Sequence, residues 1–184
     1  MKRVFRPTKT MPKMISVLLC LLLLTTGFSS TANAWGPDRD IFTIEDPPDF
    51  ITFNSITDNP NIGDERNFVG IRERGTSNLW SSNLQIHPGR EYVIRLYVHN
   101  NADDNLGLVA EDVRALVNVP TETARSHNIN GGIESSNAEP QRIWDNLTIW
   151  AEDEFNIYVV PGSIMFHNNY FIDGIAIPEA IFTR

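Results

Sequence analysis

The stretch Glu91-Tyr92-Val93-Ile94-Arg95-Leu96-Tyr97-Val98-His99-Asn100 decides the fold class. Tyr92, Ile94, Leu96 and Val98 fall on one face of an extended chain and Val93, Arg95, Tyr97 and His99 on the other, which is the period of a half-buried strand. Pro88-Gly89 sets a turn before it. Outward along the chain the alternation returns. Val113, Ala115, Val117 and Val119 stand against Arg114, Leu116 and Asn118, and Pro120 stops the run. Ile143, Asp145, Leu147 and Ile149 oppose Trp144, Asn146, Thr148 and Trp150. Phe155 to Val160 reads as a further strand, ended by Pro161-Gly162, and Ser163 to His167 as another. Short strands between Gly, Pro and Asn turns, with no convincing amphipathic helix, predict an all-β fold, an immunoglobulin-like antiparallel β-sandwich. The module is expected over residues 67–184. Residues 35–66, rich in Pro, Asp and Asn, form an irregular segment that confines strands to Ile41 to Ile44 and Ile51 to Phe53 and packs on the domain edge.

The N-terminus has another character. Lys2, Arg3, Arg6, Lys9 and Lys13, the apolar run Ile15 to Leu24, and Ala32-Asn33-Ala34 have the layout of a cleavable signal peptide, 1–34, cut between Ala34 and Trp35. A membrane span needs about 18–20 apolar residues, more than this run supplies, so a secreted, extracellular chain without a stable membrane anchor is expected. Cys20, preceded by Leu19, is part of the run.

Beyond the leader, ten arginines face 23 acids, a net charge of −13, with no lysine and no cysteine. That removes Schiff-base and phosphate-loop lysines, catalytic thiols, thiolate metal sites and disulfides. The acidic balance argues against nucleic acid and against anionic membrane surfaces. No Gly-x-Ser-x-Gly, His-Glu-x-x-His or phosphate-loop motif occurs, so a non-enzymatic protein is expected, a carboxylate-based hydrolase being the residual alternative.

Pro88-Gly89-Arg90-Glu91-Tyr92, Leu96-Tyr97-Val98-His99-Asn100-Asn101-Ala102, Val113-Arg114 leading to Val119-Pro120, and Tyr158-Val159-Val160-Pro161-Gly162-Ser163 resemble the conserved-repeat domain of secreted bacterial surface proteins, a domain of unknown function, number eleven. The resemblance covers roughly Leu84 to Asn169. It implies an immunoglobulin-like sandwich outside the cell with a structural or adhesive role in the envelope and no catalytic residues to carry over. Such modules continue with another strand where this chain reaches Ile181-Phe182-Thr183-Arg184, which implies either a single secreted module or one missing its final strand.

Two groups are candidate sites, one for a glycan and one for calcium. Trp144 and Trp150 share a strand face with Asn146 and Thr148 between them, about 20 Å apart at roughly 3.3 Å per residue. They form either an aromatic platform for a glycan or cell-wall polymer, or part of the core. Asn101, Asp103 and Asn105, spaced two apart before Gly107, resemble half of a calcium loop, against a plain solvated loop; no other cofactor is indicated. Asp145 shares a face with Ile143, Leu147 and Ile149, so it is either buried and hydrogen-bonded or the strand bulges there. Glu152-Asp153-Glu154 reads as a charged hairpin tip. Both His-Asn-Asn triplets, at 99–101 and 167–169, read as strand ends, since Asn tolerates the left-handed turn conformation.

Overall fold

The computed structural model describes residues 35–178; the expected leader, 1–34, and residues 179–184 lie outside them. The fold is all-β. Its elements are β1 (Val69–Glu73), β2 (Asn83–Gln85), β3 (Tyr92–Leu96), β4 (Arg114–Asn118), β5 (Ala124–Glu134), β6 (Arg142–Phe155), β7 (Met165–Phe166) and β8 (Ile175–Ala176), with one 3-10 turn at Asp104–Leu106. No helix among the described residues is long and apolar enough to cross a membrane.

Four strands make one sheet in the order β2-β6-β5-β4, antiparallel except for the parallel β2–β6 pair. The antiparallel pair β1–β3 packs on its inner face. The alternation read in the sequence fixes which faces meet. Ile143, Leu147 and Ile149 of β6 are buried with Ile129 and Ile133 of β5 and with Val69 and Ile71 of β1. Tyr92, Ile94 and Leu96 pack against this core, the face assigned to them from their period.

The sequence did not announce β5. Its run Ala124-Arg125-Ser126-His127-Asn128-Ile129-Asn130-Gly131-Gly132-Ile133-Glu134 has the polarity and glycines of a loop. It is a strand because His127, Ile129, Gly131 and Ile133 all turn inward. A β-carbon on Gly131 would lie 2.4 Å from Val69 Cγ2 and 3.0 Å from Leu96 Cδ1. Only a residue without a side chain lets the two sheets approach there.

Other boundaries differ from the sequence reading. β6 runs on to Phe155, so Glu152-Asp153-Glu154 lie within a strand and not at a hairpin tip. Residues beyond Phe155 leave that sheet, and β7 and β8 pair only with each other. In the N-terminal segment the expected short strands reduce to single bridges, Phe42 with Ile56 and Phe53 with Asn100. Turn residues interrupt every apolar pair there, so no ladder can propagate.

Candidate functional site

β6 carries two chemistries on its two faces. Inward, Asp145 is 1% exposed. Its carboxylate accepts the amide N–H groups of Val69 and Asn146, each at 2.8 Å, and pins the start of β1 to the large sheet. Burial pushes its pKa up to about 6, against the backbone hydrogen bonds from Val69, Asn146 and Phe68 and the attraction of Arg39. The strand does not bulge at Asp145; the register shift between β5 and β6 lies at Ala124/Ser126.

Outward, Trp144 and Trp150 are 44% and 40% exposed and point away from the core. The sheet register then builds a surface that no single strand could reveal. Asn118 of β4 stands opposite Asn130 of β5, and Asn130 opposite Asn146 of β6. None of these three side-chain amides hydrogen-bonds to another described residue. With strands about 4.8 Å apart, the three span roughly 10 Å across the sheet. A second row runs Asn83, Thr148, Asn128. Here Thr148 Oγ1 donates to Asn128 Oδ1 at 2.8 Å, and Trp150 Nε1 donates to Asn83 Oδ1 at 3.1 Å, which holds the indole at its end of the face. At the other end Trp144 lies over Gly36, whose backbone exchanges two 2.8 Å hydrogen bonds with it. Any side chain at position 36 would collide with the indole. The result is a flat field of amides and a hydroxyl bracketed by two indoles, each able to stack on one apolar ring face while the amides donate and accept.

The calcium candidates are not brought together as ligands. Asn101 is buried, its Nδ2 donating to Glu65 Oε2 at 2.8 Å and its Oδ1 accepting the Ser55 amide. Asp103 caps the 3-10 turn, its Oδ1 accepting both the backbone amide and the Nδ2 of Asn105. Among the described residues no three His, Cys, Asp or Glu side chains group as a metal site.

Asn101 belongs instead to a polar hub that joins the N-terminal segment to the end of β3. Glu65 is fully buried and accepts from Asn59 Nδ2 at 2.6 Å, His99 Nδ1 at 2.9 Å and Asn101 Nδ2 at 2.8 Å. Asn54 donates to the Tyr97 carbonyl and accepts the His99 amide. Burial pushes the Glu65 carboxyl up, but hydrogen bonds from His99, Asn101 and Asn59 outweigh it and leave the pKa below the ordinary value. The same hydrogen bond raises the His99 pKa, against burial. A carboxylate orienting an imidazole is half of a triad. The hub's hydrogen bonds run from Asn54, Asn59 and Glu65 of the N-terminal segment to Tyr97, His99 and Asn101. The first His-Asn-Asn triplet therefore does more than end a strand. The second does little else: Asn168 Oδ1 accepts the amides of Tyr170 and Phe171 in a turn.

No family model matches the chain, and comparison with curated proteins and with solved structures finds no similar protein.

Proposed function

We propose that the chain is an exported, non-enzymatic β-sandwich module that binds a glycan or cell-wall polymer across the outer face of its four-stranded sheet. The observation that carries this reading is the row Asn118, Asn130, Asn146, three amides with no hydrogen-bond partner among the described residues, beside Trp144 and Trp150. Neutral sugars present alternating apolar ring faces and hydroxyl edges, and this surface offers indoles for the first and amides for the second. The length between the tryptophans suits an oligosaccharide of several rings. The signal-like N-terminus supports a site of action outside the cell, and the resemblance to conserved-repeat surface modules agrees with it.

Co-sedimentation with insoluble cell-wall polymer and plant polysaccharides tests the reading. The wild-type chain pellets with at least one polymer, and Trp144→Ala/Trp150→Ala stays in solution while unfolding at a similar temperature. Equal pelleting of the two, or no pelleting of either, refutes it.

A structural or adhesive role without a glycan is the second reading. It is supported by the segment around β7 and β8, where Tyr158, Tyr170, Phe171 and Ile172 stand exposed.

A further inference from the structure

The opposite side of the sandwich carries a feature that the glycan face does not use. The chain beyond its leader is strongly acidic, yet the outer side of the β1–β3 pair carries Arg72 and Arg95, with Arg74 and Arg90 just beyond the strand ends. Arg74 pairs with Glu91, and Arg90 with Glu73 at 3.6 Å. The guanidiniums of Arg72 and Arg95 pair with no carboxylate and donate no hydrogen bond among the described residues, and Arg95 Nε is buried without an acceptor.

Both guanidiniums are instead held against one indole. The bridge between Ile71 and Ser81 puts Trp80 opposite Arg72. Gly70, the residue beside Arg72 on that face, has no side chain, and Trp80 lies across the space with its Cβ only 3.1 Å from where a Gly70 β-carbon would be. There the indole centroid is 4.4 Å from Arg72 Cζ and 4.6 Å from Arg95 Cζ. A cavity of about 120 Å³ that Arg72 shares with Glu73, Leu79, Leu84 and Tyr92 lies to one side, lined by neither Trp80 nor Arg95. Both guanidiniums lie within cation–π reach of the indole, and no acceptor among the described residues takes their N–H groups. Two like charges held near one ring, with an unsatisfied buried donor, form an arrangement that an anion completes.

We propose that Arg72, Trp80 and Arg95 form an oxyanion-binding site, which takes a carboxylate, sulfate or phosphate group through the two guanidinium edges. The module then has two binding faces on opposite sheets, one for neutral sugar rings and one for charge.

The test uses the native chain first. Arginines are modified with phenylglyoxal in the presence of polygalacturonate, dextran sulfate, inorganic sulfate, inorganic phosphate or uncharged dextran, and the modified positions are read by peptide mass. At least one anion, at a concentration about tenfold above its Kd, slows modification of Arg72 and Arg95 by about tenfold, as occupancy of the site requires, while Arg114 and Arg125 react at an unchanged rate. Protection by the inorganic anions identifies a site for a free anion; protection by the polymers alone identifies an acidic polymer, its charge type given by which one acts. Equal rates in every anion and in dextran overturn the proposal. Arg72→Gln/Arg95→Gln is then titrated with the protecting anion at low salt. Affinity about tenfold weaker or worse, with Arg74→Gln/Arg90→Gln close to wild type, is expected, and undiminished affinity of the first variant overturns the proposal. If that variant does not fold, Trp80→Ala is subjected to the same protection measurement, and full retention of protection has the same overturning force.

Discussion

Replacing Asp145 with Asn removes a titration that the sandwich carries at its centre. In the unfolded chain this carboxyl has its ordinary pKa of 3.8, whereas burial in the native state pushes it up to about 6. Between those values the native state binds the extra proton, so stability falls as pH rises through this window. The sign is opposite to that of a salt-bridged carboxylate. The contribution is present in full below 3.8 and lost once pH passes 6. At 1.36 kcal/mol per pKa unit the change is roughly 3 kcal/mol. For a domain of this size that corresponds to roughly 6–12 °C in Tm. The amide that Asp145→Asn introduces cannot titrate. Its nitrogen replaces one acceptor and faces a backbone N–H, which adds a pH-independent cost of about 1–3 kcal/mol. Urea unfolding of wild type and Asp145→Asn at pH 4, 5, 6 and 7 checks this. The stability advantage of wild type narrows by about 2.4 kcal/mol from the lowest pH to the highest. A constant difference would show that Asp145 does not titrate between the folded and unfolded states as its burial requires, and a widening one would mean that the two amide hydrogen bonds dominate its burial.

Further outcomes follow from the same contacts. Gly131→Val forces a side chain into the space taken by Val69 and Leu96 and costs about 1–3 kcal/mol or more, read as a lower urea midpoint. Glu65→Gln loosens the hub. The Glu65 pKa is lowered, so its contribution holds above the ordinary carboxylate value and is lost as pH falls through the folded one; the raised pKa of His99 gives stability that is lost as pH rises above 6.5. The wild-type advantage over Glu65→Gln is therefore greatest between about pH 5 and 6, and a monotonic pH dependence of that difference would contradict the pairing. Millimolar calcium leaves the wild-type Tm unchanged, because Asn101 faces Glu65 and Asp103 caps a turn; a rise of several degrees would restore the calcium loop.

The all-β class was legible because β3, β4 and β6 alternate cleanly and the inner faces of β3 and β6 are largely apolar. β5 was not legible. Half of its inner face is His127 and Gly131, and its outer face is Ser126, Asn128 and Asn130, so it lacks the apolar signal on which period-two reading depends. Everything that depends on β5 was hidden with it. The parity of Trp144 and Trp150 could be read along one strand, but whether they faced water or core could not, since each face of β6 carries a conflicting signal, Asp145 inside and the indoles outside. The amide row needs the register of three strands, and Asn118 and Asn146 lie 28 positions apart. The separation of Asn101 from Asp103 and Asn105 was hidden for a related reason. Spacing gives the order of possible ligands along a loop, but Glu65, far upstream, turns Asn101 inward.

The proposed glycan would lie across the outer face of β4, β5 and β6. The most direct measurement is a 15N-resolved titration of side-chain amide signals with a soluble oligosaccharide from the polymer that the chain sediments with. The amides of Asn118, Asn130 and Asn146 and the indole N–H of Trp144 and Trp150 shift together with a single saturation curve. Signals that move elsewhere while these five stay still would contradict the account.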